Sequence, residues 1–593
     1  MVEDPNLYKK NINIPRNSDV EDIYKRLDCI VPDDMYDTLA LFVKHLDRKQ
    51  VNTDKQLQQE LVVLQRKYKL VVKKSQLLHV YNTLLTTNDI KPDHILRRLL
   101  QKKAAKSESG VLVITVLTSP YPSFTDVETG KKQTQRFSCK WNCYYCPNEP
   151  GQPRSYLHDE PAVLRANQNH FDAELQFIER AATLAAIGHP VDKIELLILG
   201  GTWASYPQQY QEEFIRDLFY AANTFYERTN KRPRMTLKQE QEENESALCK
   251  VIGLTLETRP DCINENEIRL FRKYGCTRVQ LGIQHTDDNV LKQVNRESTR
   301  NDAVKAIKLL KNACYKIDIH LMPNLPGSNL EMDEKMFTDV LYSEDLQVDQ
   351  WKIYPCEVVP WTVIKKWHEN GKYVPYHETD LFELLMKIKA QVHPWIRLNR
   401  VVRDIPSQYI SGGIDSPNLR QTLLLTMKQR GTSCRCIRCR EVGRNMHRHV
   451  DKHGNSTSKL MLREYKASNA REIFISIESP DEQTIMGFLR LRLCDPNMAN
   501  QFPELNGAAF IRELHVYGQL IATSDRINRN SQHQGFGTQM MKHAEYIAVS
   551  DLLFIIYLLF FNIFLFSGKM GIKKSQLFQA LVLVIITEKW AIF

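Results

Sequence analysis

The chain has 593 residues, about four times a typical domain, with 42% hydrophobic and 25% charged residues. That composition excludes a disordered, collagen-like or disulfide-scaffold protein. The net charge is +10, and residues 66–106 hold nearly all of it, with 11 basic and two acidic side chains. Such a stretch suits a polyanion such as nucleic acid; a set of solvated helix faces is the alternative.

Residues 1–107 read as helical. Apolar side chains recur at helical spacing in DTLALFVKHL and QLLHVYNTLL, and KPDHILRRLLQKKAAK continues with a dense basic face. The opening MVEDPNLYKK lacks the apolar core of a signal peptide. From Gly110 the texture changes to short β-branched runs: GVLVITVLT, KIELLILGG, VIGLTLET, TRVQLGIQ, KIDIHLMP and QWKIYP. Six strands alternating with helical patterns over 108–400 predict a parallel α/β sheet, open or curled into a partial barrel. RTNKRPRMTLKQEQEENES reads as an exposed insertion or loop. Residues 356–440 are mixed, and 401–460 read as a zinc-binding linker region. Over 461–549, REIFISIES, IMGFLRLRLC and AAFIRELHVYG suggest antiparallel strands, followed by a helix in GFGTQMMKHAEYIAV. Residues 550–593 form a hydrophobic tail that fits neither pattern. Its run Leu552–Phe566 reaches roughly 22 Å as a helix, short of a hydrocarbon core of about 30 Å, so a membrane anchor is not expected.

Six of the 13 cysteines fall in two clusters of three, Cys139/Cys143/Cys146 and Cys434/Cys436/Cys439. Clusters of this kind read as metal sites of an intracellular protein rather than as disulfides. Cys139-x3-Cys143-x2-Cys146 follows the first sheet strand. Three thiolates on one loop can hold three irons of a 4Fe-4S cluster and leave the fourth iron open to a small molecule. Phe137, Trp141, Tyr144 and Tyr145 stand among them as a shield. A zinc loop with a distant fourth ligand is the alternative. The second strand ends in Gly200-Gly201-Thr202, a tight turn. The second cluster, interleaved with Arg435, Arg438 and Arg440, suggests structural zinc with a fourth ligand from elsewhere, His447 and His449 being nearby. Its arginines also offer contacts to RNA phosphates; a redox-inert loop is the alternative.

The first triad, with Tyr145 before its last cysteine, resembles the radical S-adenosylmethionine superfamily, and Gly200-Gly201 resembles that superfamily's glycine pair beside the methionine moiety. Further strings occur in family order: LETRPD (256–261), YGCTRVQLGIQ (274–284), HLMPNLPG (320–327), KIYP (352–355), RDIP (403–406), GTSCRCIRCREVG (431–443), RELHVYG (512–518) and HQGFG (533–537). Together they resemble the family of the Elongator catalytic subunit, a radical S-adenosylmethionine protein fused to a GNAT-type acetyltransferase domain, over about residues 60–549.

The resemblance implies a partial (β/α)6 radical S-adenosylmethionine barrel with an N-terminal helical domain and a C-terminal GNAT-like α+β domain. It implies formation of 5-carboxymethyluridine at the wobble position of tRNA. A 5′-deoxyadenosyl radical from S-adenosylmethionine would take hydrogen from the methyl of acetyl-CoA, the carbon radical would add to C5 of uridine, and thioester hydrolysis would free the carboxylate. Carried over by residue, Cys139, Cys143 and Cys146 would bind the 4Fe-4S cluster, with Gly200 and Gly201 beside S-adenosylmethionine. Lys193 would serve acetyl-CoA, Glu513, Leu514, His515 and Val516 its pantetheine, and Phe536, Gly537 and Thr538 its pyrophosphate, at a helix N-terminus. Lys102, Lys103 and Lys106 belong to the basic face expected to hold tRNA. Implied partners are tRNA, an electron donor protein and other Elongator subunits, in the cytoplasm with the nucleus also open. No tyrosine-rich turn follows position 550, so the GNAT-like domain reads as truncated, and weak acetyl-CoA binding is expected. The competing functions are a protein lysine acetyltransferase and a tRNA-binding iron–sulfur scaffold with a broken acetyl-CoA site.

Overall fold

A computed structural model describes residues 19–28, 31–103, 109–442, 458–494, 500–517 and 535–550. Helices Val20–Asp28, Asp33–Arg48, Asp54–Tyr68, Lys74–Thr86 and His94–Leu100 open the described chain. The last four enclose their own core, built on Leu39, Phe42, Leu57, Leu77, Tyr81 and Leu96. Local chemistry sets their ends: Thr53 and Gln56 cap the third helix reciprocally. The basic helix stops at Leu100, before the periodicity does, and Lys103 turns to a positive φ of 55°. Lys102 and Lys103 therefore sit on a connector rather than a helix face, and Lys106 lies outside the described residues.

The next strands are β1 (Leu112–Leu117), the hairpin β2 (Ser123–Thr125) and β3 (Lys132–Thr134), then β4 (Lys193–Leu199), β5 (Lys250–Thr258), β6 (Arg278–Gln284), β7 (Lys316–Leu321), β8 (Gln350–Ile353) and β9 (Arg397–Arg400). Without the hairpin they form one parallel sheet in the order β1-β4-β5-β6-β7-β8-β9, an open half-barrel with crossover helices on its outside. The apolar runs predict six strands and the sheet has seven. The extra strand, RLNR, carries one apolar side chain, Leu398, which is buried, while Arg397 and Asn399 turn into the barrel cavity. Hydropathy cannot find a strand whose inner face is polar.

Residues 228–246 are not merely an exposed loop. Thr236 and Gln239 form a capping box at the start of helix Leu237–Asn244. Arg232 grips the buried Glu240 through two hydrogen bonds of 2.7 and 2.6 Å, and Lys231 and Arg234 both reach Glu174. Paired charges let so polar a segment pack.

The C-terminal strands β10 (Lys459–Ala467), β11 (Ala470–Glu478), β12 (Ile485–Leu493) and β13 (Ala509–Val516) pair antiparallel in chain order. In the first, the apolar run Leu460–Leu462 is short and gives way to the charged REYK, and the strand is only partly buried. A helix over 536–550 packs Phe536, Met540 and Ala544 into the core of this sheet. His447, His449 and the tail from 551 onward lie outside the described residues. No described helix is long and apolar enough to cross a membrane.

Half-barrel and antiparallel sheet meet through buried charge. Arg512 is the extra residue of a bulge in β13, since Arg490 pairs with Glu513 but Leu491 pairs with Ile511. Its guanidinium grips both oxygens of Asp349, just before β8, at 2.8 and 2.7 Å, and donates to Glu472 at 2.5 Å. Lys311, from the helix before β7, reaches Glu472 at 2.9 Å, and Arg492 reaches it at 3.0 Å. Burial opposes ionisation of these acids, yet Arg512 and Lys311 outweigh it: Asp349 is held well below the usual carboxylate range and Glu472 is held down at about 2.

Candidate active site

The first triad sits on a loop under the C-terminal ends of the barrel strands, where sites of parallel barrels gather. Cys143 is 7% exposed; Cys139 and Cys146 are partly covered. Three guanidinium groups serve these thiols. Arg259, after β5, donates to Cys143 Sγ at 3.4 Å, Arg296 donates to the same atom at 3.6 Å, and Arg154 donates to Cys146 Sγ at 3.4 Å. Burial disfavours the Cys143 thiolate, but Arg296 and Arg259 prevail and bring the thiol below its ordinary range. Burial pushes Cys146 up in spite of Arg154. Arg259 also lies 4.1 Å over the Trp141 ring and is fixed by Asp261.

Gly200 and Gly201 end β4 at φ +133° and +104°. A Cβ on Gly200 would lie 1.9 Å from Thr118 Oγ1, and one on Gly201 would lie 3.3 Å from the Arg154 carbonyl. Only glycine permits this approach of the backbone to the cysteine loop. Phe137 stacks on Tyr206 at 4.3 Å beside it.

A cavity of about 1770 Å³ lies nearby, with Leu199 but neither glycine in its lining. Tyr145 and Pro147 of the cysteine loop line one end. Glu257, His320, Lys352, Tyr354 and Arg403 line the barrel wall, and residues 507–515, with Met541, Ala548 and Val549, line the other end. The cavity thus runs from Tyr145 and Pro147, on either side of Cys146, to Glu513, Leu514 and His515 of β13, while the three cysteines and Val516 stay out of its lining. β13 is the last strand of its sheet among the described residues. Glu513 is tied to Arg490 at 3.0 Å, and His515 is 2.7 Å from the Ser109 carbonyl. Phe536 is buried and Thr538 exposed, and the Cβ position of Gly537 lies 3.7 Å from Val516; none of the three lines the cavity. Lys193 begins β4 and is not among the residues lining the cavity.

The Sγ atoms of Cys434, Cys436 and Cys439 all lie within 4.8 Å of one another, and among the described residues no other trio of such ligands is so tight. Thiolates bound at about 2.3 Å to one tetrahedral ion sit at this kind of separation. The first triad is more open, as suits thiolates that each take a separate iron of a cluster. Burial opposes a Cys436 thiolate, but its thiol neighbours, Lys389 and Arg420 bring it well below the ordinary range. Of the interleaved arginines, Arg440 is buried against Glu478 at 2.9 Å, so it cannot be a phosphate contact. Arg435 is half exposed and pairs with Glu482.

The sequence did not reveal Arg154, Arg259 or Arg296 as partners of the thiols, nor His320, Glu257 and Lys352 as cavity groups. Glu257, Arg259, His320 and Lys352 lie in the strings LETRPD, HLMPNLPG and KIYP, and Arg259, His320 and Tyr354 fall at or just after the C-terminal end of a barrel strand; Arg154 and Arg296 carry neither signal.

The family model for the radical SAM superfamily matches residues 137–340, and that for the Radical_SAM C-terminal domain matches 348–429. The tRNA uridine(34) acetyltransferase of Methanocaldococcus infernus is 37% identical over 463 residues, which cover 77% of this chain and 82% of that protein. Elongator complex protein 3 of Homo sapiens is 34% identical over 465 residues, covering 77% and 80%. The solved structure of the archaeal Methanocaldococcus infernus Elp3 with an N-terminal deletion aligns with a TM-score of 0.61 at 33% identity, over 75% of this chain and 92% of that one.

Proposed function

The chain belongs to the radical S-adenosylmethionine family of the tRNA uridine(34) acetyltransferases and Elongator complex protein 3, and from that premise we propose how its residues carry the reaction. It is an enzyme that modifies the wobble uridine of tRNA. In the finer reading, the product is 5-carboxymethyluridine and the donor of the two carbons is acetyl-CoA.

The single chamber joining the cysteine loop to β13 carries this reading. Cys139, Cys143 and Cys146 would hold the 4Fe-4S cluster, and the donor set suits it: three thiols, with guanidinium groups that offset an anionic cluster. When bound, the cluster and S-adenosylmethionine supply the one-electron chemistry that side chains lack. Arg259 and Arg296 keep Cys143 ready to ligate. Gly200 and Gly201 let the backbone approach the methionine moiety, and Tyr145 and Tyr156 help exclude water. Glu513, Leu514, His515 and Val516 would flank the pantetheine of acetyl-CoA, and the N-terminus of the 536–550 helix, at Phe536, Gly537 and Thr538, its pyrophosphate. Lys193 would pair with a coenzyme A phosphate from the barrel's rim. Cys434, Cys436 and Cys439 would hold a structural zinc.

In this division of labour, residues 1–107 engage tRNA, 108–400 form the radical barrel, 401–460 carry the zinc and 461–549 hold the acetyl donor. Other Elongator subunits and an electron donor protein are the partners that this reading adds. Anaerobically reconstituted protein, given tRNA, S-adenosylmethionine and acetyl-CoA, should yield 5-carboxymethyluridine by nucleoside mass spectrometry. Cys143→Ser should yield none. Product from the variant, or none from the wild type, would overturn the reading.

A further inference from the structure

His320 and Lys352 are register partners on the neighbouring parallel strands β7 and β8, so both side chains leave the sheet on the same face, about 4.8 Å apart at the backbone. Both line the chamber, and both are nearly buried, at 5% and 7% exposure. The two nitrogens of His320 differ. Nδ1 faces Glu257 Oε1 at 3.7 Å. Glu257 is itself oriented by the Tyr156 hydroxyl, which donates to its other oxygen at 2.9 Å. Nε2 is buried and has no hydrogen-bond partner among the described residues. A carboxylate beside Nδ1 draws the imidazole proton to that side and leaves Nε2 as a lone-pair acceptor. Burial, then Lys352, Arg403 and Arg296, holds the imidazole well below its usual range, so it is neutral. Lys352, which burial pulls down to about 8, remains an ammonium at neutral pH; it gives one hydrogen bond to Gln280 at 2.6 Å and keeps donors for the chamber.

An acceptor beside a donor, both desolvated, matches one kind of edge. A buried acceptor left unmatched costs about 1–3 kcal/mol, so its partner matters. The imide edge of uracil presents N3–H between two carbonyl oxygens: N3–H can donate to Nε2 while a carbonyl accepts from Lys352. Cytosine presents a bare N3 lone pair at the same place. It would oppose Nε2, and relief would require moving the proton off Nδ1, away from Glu257. We propose that His320, positioned by Glu257 and paired with Lys352, reads the imide edge of the pyrimidine that enters the chamber and selects uracil over cytosine. This rests on the reading of the chain as a wobble-uridine enzyme, since a base must leave its stack to reach the chamber.

The test uses the full chain and two anticodon stem-loop RNAs that differ only in carrying uridine or cytidine at the wobble position, with affinities read by fluorescence anisotropy. Phosphate contacts are common to both RNAs, so the affinity ratio isolates the base. Wild type should favour uridine by on the order of 10–100-fold, and His320→Ala should bring the ratio to within about threefold. His320→Gln, whose amide can donate as well as accept, should narrow it similarly and serves if the alanine variant misfolds. A ratio equal in wild type and variants, or no preference in wild type, overturns the assignment. Wobble-uridine modification by the wild type is measured alongside: if it fails, the broader reading falls, whereas intact modification with an unmoved ratio removes only the role of His320.

Discussion

Gly200 concentrates the constraints of the active-site rim in one residue. Its φ of +133° and the 1.9 Å from its Cβ position to Thr118 Oγ1 leave no room for a side chain. Gly200→Ala should therefore cost about 1–3 kcal/mol from the backbone conformation alone, and more from the collision. Release of 5′-deoxyadenosine should drop with it. A variant with unchanged melting temperature and unchanged release would show that the turn is not pinned in this way. The cysteines themselves were legible because their spacing is local. Their guanidinium partners were not: Arg259 and Arg296 lie 116 and 153 residues from Cys143, and only the fold brings them together. The second triad makes a metal test simple. Metal analysis of reconstituted protein should find zinc that Cys436→Ser loses while iron is retained; loss of iron instead would mean the two triads are misassigned.

Elements were legible in proportion to how apolar they are on both faces. The six runs from GVLVITVLT to QWKIYP each became a parallel strand. β9 and β10 escaped because Arg397 and Asn399, or the alternating charges of KLMLREYKA, face polar surroundings. The helix at Leu237–Asn244 did leave a signal, the T-x-x-Q capping box, inside a segment whose charge suggested a loop. The charged seam between β8 and β13 was invisible in sequence and governs how the two halves hold together. Asp349→Asn would leave Arg512 without its bidentate partner in a buried site, and breaking such a pair costs about 3–5 kcal/mol. Thermal unfolding should show the loss, and an unchanged transition would mean that other groups compensate. The acid limb follows from sign. The folded carboxyl of Glu472 titrates at about 2, below an unfolded glutamate near 4.3. Its stabilisation is thus complete above about 4.3 and is lost as pH falls toward about 2. Glu472→Gln should flatten the stability profile in that window; an unaltered slope would contradict the pairing.

At the scale of the whole molecule, the barrel and the antiparallel sheet line one chamber, and the described basic N-terminal helices contribute nothing to its lining. The +9 of residues 66–106 predicts binding to RNA phosphates. Changing Lys102, Lys103 and Lys106 together to alanine should weaken tRNA binding and reduce its salt slope by about 0.7–0.9 for each phosphate no longer neutralised. An unmoved slope would make these lysines a solvated face. Most decisive is whether the carbons at one end of the chamber reach the base through chemistry begun at the other. Acetyl-CoA labelled with carbon-13 in its methyl group should transfer the label to the wobble uridine of tRNA, only when S-adenosylmethionine is present and not with Cys143→Ser. Label on protein lysines without RNA, or unlabelled uridine beside consumed acetyl-CoA, would contradict a single chamber working as one active site.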